Sequence, residues 1–333
     1  MKKLILTVCM LCIMSAIFAQ GRKFKDERRV YLWDVTLSMK GYNGAPDIYD
    51  QVVKDLTTDI NNIEDDHTEL IVLPFQEGIL ETWKEKATPA GKKALIGKIK
   101  NYSNERITRT NLCTPLKDVM NKYLTPDKRN VLYLFTDGAH NMKSPSVEDY
   151  HALLNSWCNF AEKNDVYGFY MMLTKNAEDP KLINIIETVC NFDVVKGVGH
   201  EFLLLRPEES KISYNIKDNA GKPITITIAS NINKNYPAGV KLHVWCNDNN
   251  YVKIDQTISL SHDGKIDIKV TQKMNYESMK NSMPQTMRIP IHLELKDSGN
   301  GNTLTKLIAN RVNLELINKP EKTLKVYVKP EKK

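Results

Sequence analysis

The chain has 333 residues, of which 41% are hydrophobic and 26% charged, long enough to bury the cores of two ordinary domains. Its formal net charge of +7 is mild and spread along the length. There is no basic stripe interleaved with aromatics, which argues against nucleic acid as a partner.

In chain order, Lys2 and Lys3 make a charged start, Leu4–Ile17 a mostly apolar run and Ala16–Gln20 a small-residue exit. Residues 1–20 therefore resemble a secretory signal peptide, cleaved after Ala19 or Gln20. The apolar run is shorter than the ~20 residues of a membrane span, and no later segment is apolar enough to span a bilayer. The expected product is soluble and exported, periplasmic or extracellular. Beyond this segment lie Cys113, Cys158, Cys190 and Cys246, with no C-x-x-C spacing for zinc or redox chemistry. Export permits disulfides; a Cys158–Cys190 bridge and buried free thiols both stay open.

Residues 21–206 alternate strand and helix. Arg29–Ser38, RVYLWDVTLS, is a buried strand (Val30–Trp33) that runs straight into Asp34, Thr36 and Ser38. Pro46 opens a helix in which Ile48, Val52, Val53, Leu56, Ile60 and Ile63 recur at helical spacing. Thr68–Phe75 is a second strand, and a tight turn at Gln76–Gly78 leads into an antiparallel edge strand, Ile79–Trp83. Thr88-Pro89 opens a helix with a capping hydroxyl and a proline at the first helical position, and Thr114-Pro115 and Asp179-Pro180 repeat the device. A strand at Asn130–Phe135, a helix near Ser146–Lys163, and strands at Val166–Leu173 and Phe192–Val195 complete the half. Strands separated by helices predict an α/β, doubly wound sheet.

From residue 207 to 333 the period changes to 2. Ile212/Tyr214/Ile216, Ile224/Ile226/Ile228, Val240/Leu242/Val244, Ile266/Ile268/Val270, Ile289–Leu295, Val312–Leu316 and Leu324–Val328 alternate with polar residues. Turn residues separate them, at Asn219–Gly221, Asp263-Gly264 and Ser298–Gly301. Such half-buried strands with no long helix predict an antiparallel, immunoglobulin-like all-β sandwich. His243, His262 and His292 are scattered in it and form no catalytic cluster; His243 and Trp245 share one face of a strand. This part reads as a spacer or interaction module.

The residues that carry chemistry are in the first half. Asp34, Thr36 and Ser38 follow the first strand at alternate positions, where an extended turn aims one carboxylate and two hydroxyls at a common point. Thr110 comes in the loop before the Thr114-Pro115 helix, and Asp137 at the tip of a later strand, in Phe135-Thr136-Asp137-Gly138. In open α/β sheets the crevice above the strand tips is where ligands bind. These residues resemble the von Willebrand factor type A domain and its metal-ion-dependent adhesion site. That family's signature is Asp-x-Ser-x-Ser after the first strand, a threonine in a later loop, and Asp-Gly after the fourth strand. The resemblance covers about 29–197. It implies that Thr36, Ser38 and Thr110 offer hydroxyl oxygens directly to a divalent cation, Mg²⁺ or else Mn²⁺ or Ca²⁺, and that Asp34 and Asp137 act directly or through water. It further implies a partner protein whose glutamate or aspartate completes the shell, and no enzymatic activity, since nothing in the motif supplies a nucleophile or general base.

Two positions depart from the signature. Thr36 replaces serine, keeping the hydroxyl but adding a methyl. Arg109 stands where the family often has glycine, and its guanidinium either repels the ion or helps to hold an acidic partner. Two alternatives accompany this reading. In one the fold persists as an interaction module while the metal site is vestigial. In the other the chain is a phosphatase of the haloacid dehalogenase type, against which Thr36 occupies the place of the acid/base aspartate.

Overall fold

The computed structural model describes residues 26–103, 106–137, 140–174, 180–188, 191–196, 211–227, 241–259, 265–296 and 311–318. Within the first half, β1 (Glu27–Asp34), β2 (Glu69–Phe75), β3 (Trp83–Lys86), β4 (Arg129–Thr136), β5 (Val166–Met172) and β6 (Phe192–Lys196) form one sheet in the order β3-β2-β1-β4-β5-β6. Every pairing is parallel except β2 with β3. The chain steps from β1 to β2 on one side and later returns to β4 on the other. β1 and β4 therefore flank the point where the strand order reverses, and that point is where a doubly wound sheet opens its crevice.

Both faces of the sheet are covered, which explains the near-continuous apolar runs in its strands. Tyr31, Trp33, Tyr133, Phe135 and Phe169 point into one core, shared with α1 (Tyr49–Asn62) and α2 (Pro89–Lys100). Val30, Leu32, Leu132, Leu134 and Tyr170 point into the other. That second core is shared with α3 (Cys113–Lys122), α4 (Val147–Asn155), α5 (Trp157–Asn164) and α6 (Pro180–Thr188). Strand alternation thus sends neighbouring residues of β1 into opposite cores.

The second half holds β7 (Lys211–Asn215), β8 (Ile224–Thr227), β9 (Lys241–Cys246), β10 (Val252–Lys253), β11 (Asp255–Ser259), β12 (Lys265–Ile268), β13 (Thr271–Gln272), β14 (Thr286–Lys296) and β15 (Arg311–Ile317), with the short helix α7 (Tyr276–Ser282). A five-stranded sheet runs β11-β9-β14-β15-β7, beside the two-stranded pairs β10-β13 and β12-β8. One hydrophobic cluster gathers Leu242, Val244, Leu293 and Leu314 from the larger sheet, Ile224, Ile226, Ile266 and Ile268 from the β8–β12 pair, and Met279 from α7.

Several boundaries differ from the sequence expectation. The antiparallel edge strand is Trp83–Lys86, not Ile79–Trp83; only a single bridge joins Phe75 to Ile79, and Val72 pairs with Trp83. The connection is thus a wider loop whose backbone folds onto Pro74, through Leu80 N–H to Pro74 O at 2.9 Å. The helix expected across Ser146–Lys163 is two, broken at Ser156, whose N–H reaches the carbonyls of both Ala152 and Leu153 and tightens the turn. Thr114 does not cap α3, which starts at Cys113; Asn111 Oδ1 accepts the Thr114 N–H at 3.0 Å instead. The helix expected from Pro46 starts at Tyr49, after two 3-10 turns. The β-rich half is not wholly antiparallel, because β15 pairs with β7 in parallel. It also contains α7 and the strand Asp255–Ser259, whose polar side chains hid it from the alternation. The expected signal peptide, the boundary at 206/207, Cys190, the turns at 263–264 and 298–301 and the strand at 324–328 lie outside the described residues. Among the described residues no helix is long and apolar enough to cross a membrane.

Candidate metal centre

The chain brings Asp34, Thr36, Ser38, Thr110 and Asp137 together at the crevice. Asp34 is the last residue of β1 and Asp137 follows directly on β4. Thr36 and Ser38 lie in the tight turn after β1, whose backbone is held by Val35 N–H to Phe75 O and Leu37 N–H to Ile107 O, at 3.0 and 2.9 Å. Asp34, Thr36, Thr110 and Asp137 are buried, and Ser38 is partly so.

The oxygens touch in a chain. Thr36 donates its backbone N–H and its hydroxyl to Asp34 Oδ1, at 2.9 and 2.7 Å. Ser38 Oγ lies 3.0 Å from Thr36 Oγ1 and donates to Asp137 Oδ1 at 2.9 Å. Thr110 Oγ1 reaches Thr36 Oγ1 at 3.5 Å. Each hydroxyl owns one proton and two lone pairs. Once Thr36 and Ser38 have given theirs to the carboxylates, their oxygens meet lone pair against lone pair. That is a set of hard oxygen donors short of positive charge, and it fits a small divalent cation.

The acids feel the same shortage. Burial first, and then the charge of Asp137, push the Asp34 carboxyl from its usual 3.8 up to about 7, against hydrogen bonds from Thr36 and Thr136 that pull it down. Burial also raises Asp137, opposed by the bond from Ser38. Desolvation and a like charge are the terms that a cation between the two carboxylates offsets.

Arg109 pairs with Glu77. Its side chain is 66% exposed, and Nε lies 2.6 Å from Glu77 Oε1 in the β2–β3 loop, so its charge is locally balanced. The residues that hold these side chains in place were not among those expected from the sequence. Thr136, the neighbour of Asp137 in sequence, donates to Asp34 Oδ2 at 2.8 Å. Thr174 Oγ1 donates to the Asp137 carbonyl at 2.9 Å. Arg106 donates to Val35 O at 2.9 Å while its guanidinium lies 4.1 Å from the Tyr49 ring centre. His140 Nδ1 accepts the Leu112 N–H at 3.1 Å, and its Nε2 sits 2.7 Å from Pro145 O, which fixes the Nε2–H tautomer. Asn141 binds the Thr110 loop. Only Thr136 carried a signal in sequence, its place next to Asp137.

A second group of possible ligands, Asp65, Asp66 and His67, lies in the α1–β2 loop with its ligand atoms within 4.8 Å of one another. His67 Nδ1 is 2.7 Å from Asp66 Oδ1, and both side chains are more than half exposed. Of the thiols, Cys113 and Cys246 are free.

No family model and no curated protein sequence matches the chain. Among solved structures it is similar to proximal thread matrix protein 1 from the mussel byssus, at 15% identity and a TM-score of 0.41 over 52% of this chain and 44% of that one. A further structure of the mussel protein, 14% identical with a TM-score of 0.40 over 52% of this chain and 44% of that one, has a zinc-occupied MIDAS motif. The ArnB paralog VWA2 from Sulfolobus acidocaldarius is 11% identical, with a TM-score of 0.39 over 89% of this chain and 66% of that one. The SpRpn10 VWA domain is 8% identical, with a TM-score of 0.38 over 52% of this chain and 87% of that one. The chain thus spans less than half the length of the mussel protein.

Proposed function

We propose that this chain is an exported, cation-dependent binding protein of the von Willebrand factor type A kind, without enzymatic activity, whose partner presents a glutamate or aspartate. The observation that carries the reading is the proton-short run of oxygens from Asp34 through Thr36 and Ser38 to Asp137, with Thr110 beside it, at the switch point of the sheet. Thr36, Ser38 and Thr110 would hold the ion through hydroxyl oxygens, and Asp34 and Asp137 would balance its charge. A bound Mg²⁺, Mn²⁺ or Ca²⁺ supplies an electrophilic position that a carboxylate can take. Thr136 and the Thr36 backbone N–H orient Asp34, so the site is built before any ligand arrives. Arg109, exposed on the rim beside Thr110, offers a second contact to an acidic partner if it exchanges Glu77 for it. Residues 207–333 are read as an immunoglobulin-like sandwich that acts as a spacer or interaction module.

Thermal melting with Mg²⁺, Mn²⁺, Ca²⁺ or EDTA tests the reading. An ion at 100 times its dissociation constant adds ~2.7 kcal/mol by mass action, a rise in Tm of roughly 5–10 °C for a domain of this size. Asp34→Ala abolishes the rise, Asp137→Ala weakens it, and Asp248→Ala, on an exposed side chain of the β-rich half, leaves it intact. If none of the ions at millimolar concentration moves the wild-type curve, the site is vestigial and binding belongs to other surfaces. Turnover of a generic phosphate ester would replace the reading with the hydrolase one.

A further inference from the structure

Thr110 is the expected ligand that does not lie at or just past a strand end. It sits in the irregular run between α2 and α3, and its hydroxyl reaches Thr36 only at 3.5 Å. What fixes it comes from the loop that follows Asp137. Asn141 Oδ1 accepts the Thr110 N–H at 2.6 Å, Asn141 N–H donates to Thr110 O at 3.1 Å, and Asn141 Nδ2 donates to Thr108 O at 3.2 Å. The side-chain amide is used at both ends, and Thr110 is gripped on both sides of its α-carbon. Asn141 comes four positions after Asp137 and so ties one ligand-bearing loop to another.

We propose that Asn141 is a positioning residue that sets the cation affinity of this site, by holding the Thr110 hydroxyl in register with Thr36, Ser38 and Asp137. The inference rests on the cation reading above. The side-chain chemistry is selective: aspartate keeps an acceptor for the Thr110 N–H but loses the donor to Thr108, alanine loses both, and glutamine carries both groups one methylene out of place. His140 grips the same loop further on, at Leu112, and so serves as the comparison. Removing it loosens the loop without releasing Thr110 itself.

The test is Mn²⁺ titration of the full chain, with free Mn²⁺ followed by its electron paramagnetic resonance signal. Each variant is titrated below its own metal-free Tm, recorded in EDTA. Groups that orient a ligand typically control affinity by ~10–100-fold. The expected result is a Kd raised at least about tenfold by Asn141→Ala, largely restored in Asn141→Asp, and raised less by His140→Ala even if that variant melts lower. A purely structural role would lower the metal-free Tm and leave the Kd where it was. Wild-type affinity in Asn141→Ala, with the wild type binding normally, overturns this inference and leaves the cation reading standing. If the wild type itself takes up no Mn²⁺, both fall. Should Asn141→Ala not fold, Asn141→Gln carries the same test, and an unchanged Kd there overturns the proposal.

Discussion

Asp34 and Asp59 are both buried carboxylates of the first half, and the chain treats them in opposite ways. Asp34 faces hydroxyls and another acid. Asp59, on α1, has a fixed cation: Arg29 Nη1 lies 3.0 Å from Asp59 Oδ1, the two side chains are 4% and 1% exposed, and the Tyr31 hydroxyl donates to Asp59 Oδ2. Glu27 Oε1 takes Arg29 Nε at 2.7 Å. Asp59→Ala should therefore leave the buried guanidinium with Glu27 in place of two carboxylates, at a cost of up to about 3–5 kcal/mol, read as a fall in the urea midpoint with an unchanged slope. Asp59→Asn, which keeps an acceptor, should cost clearly less. A loss under about 1 kcal/mol in the alanine variant would mean that Arg29 finds water or another partner. Legibility at this scale is uneven for the same physical reason. Asp34, Thr36 and Ser38 stand two apart on one short stretch, so their convergence is written locally. The Arg29–Asp59 pair and the Asn141 clamp join residues 30 and 31 positions apart, and nothing in either local pattern announces the other member.

Elements were legible where one period persisted. The strands that became β1, β4, β5 and β6 sit within a few residues of their expected limits because runs such as Val-Leu-Tyr-Leu-Phe admit little else. The misses fall where a local preference was overruled from outside. Thr114-Pro115 looks like a helix start, but the helix begins at Cys113 and Asn111, three residues before Thr114, accepts the Thr114 N–H. Lys84, Glu85 and Lys86 fall beyond the expected strand Ile79–Trp83, yet pairing with β2 makes Trp83–Lys86 the edge strand, where charge is at home. Gly168 in β5 shows how closely elements are set. A Cβ there would lie 2.3 Å from Phe192 Cδ2 and 3.0 Å from Trp157 Cζ2, two rings stacked at 4.7 Å. Gly168→Ala should cost about 1–3 kcal/mol or somewhat more by overpacking between β5, β6 and α5. Phe192→Leu in the same chain should recover part of that loss, since contacting sites are not additive. A strictly additive double variant would place the strain elsewhere.

At the scale of the whole molecule, the hydrophobic clusters of the described residues fall into separate groups. The two clusters of the doubly wound sheet draw on residues up to 195, whereas the third draws on residues 212 to 316. A contact across the two halves is polar: Arg288 of β14 bridges Glu162 of α5, with side chains 40% and 31% exposed. A partly exposed ion pair of this kind contributes ~0–1 kcal/mol. A separate core is what lets a segment fold alone. Residues 207–333, produced by themselves, should accordingly give a β-type circular dichroism spectrum and a cooperative melt. In the full chain, Arg288→Ala should leave the proposed cation-induced rise in Tm unchanged, because the proposed site is built on Asp34 and Asp137. A random-coil spectrum from 207–333 would sink the two-unit reading, and so would a metal response that disappears with Arg288. The first result would mean that the β-rich half needs the other to fold, and the second that it takes part in shaping the crevice.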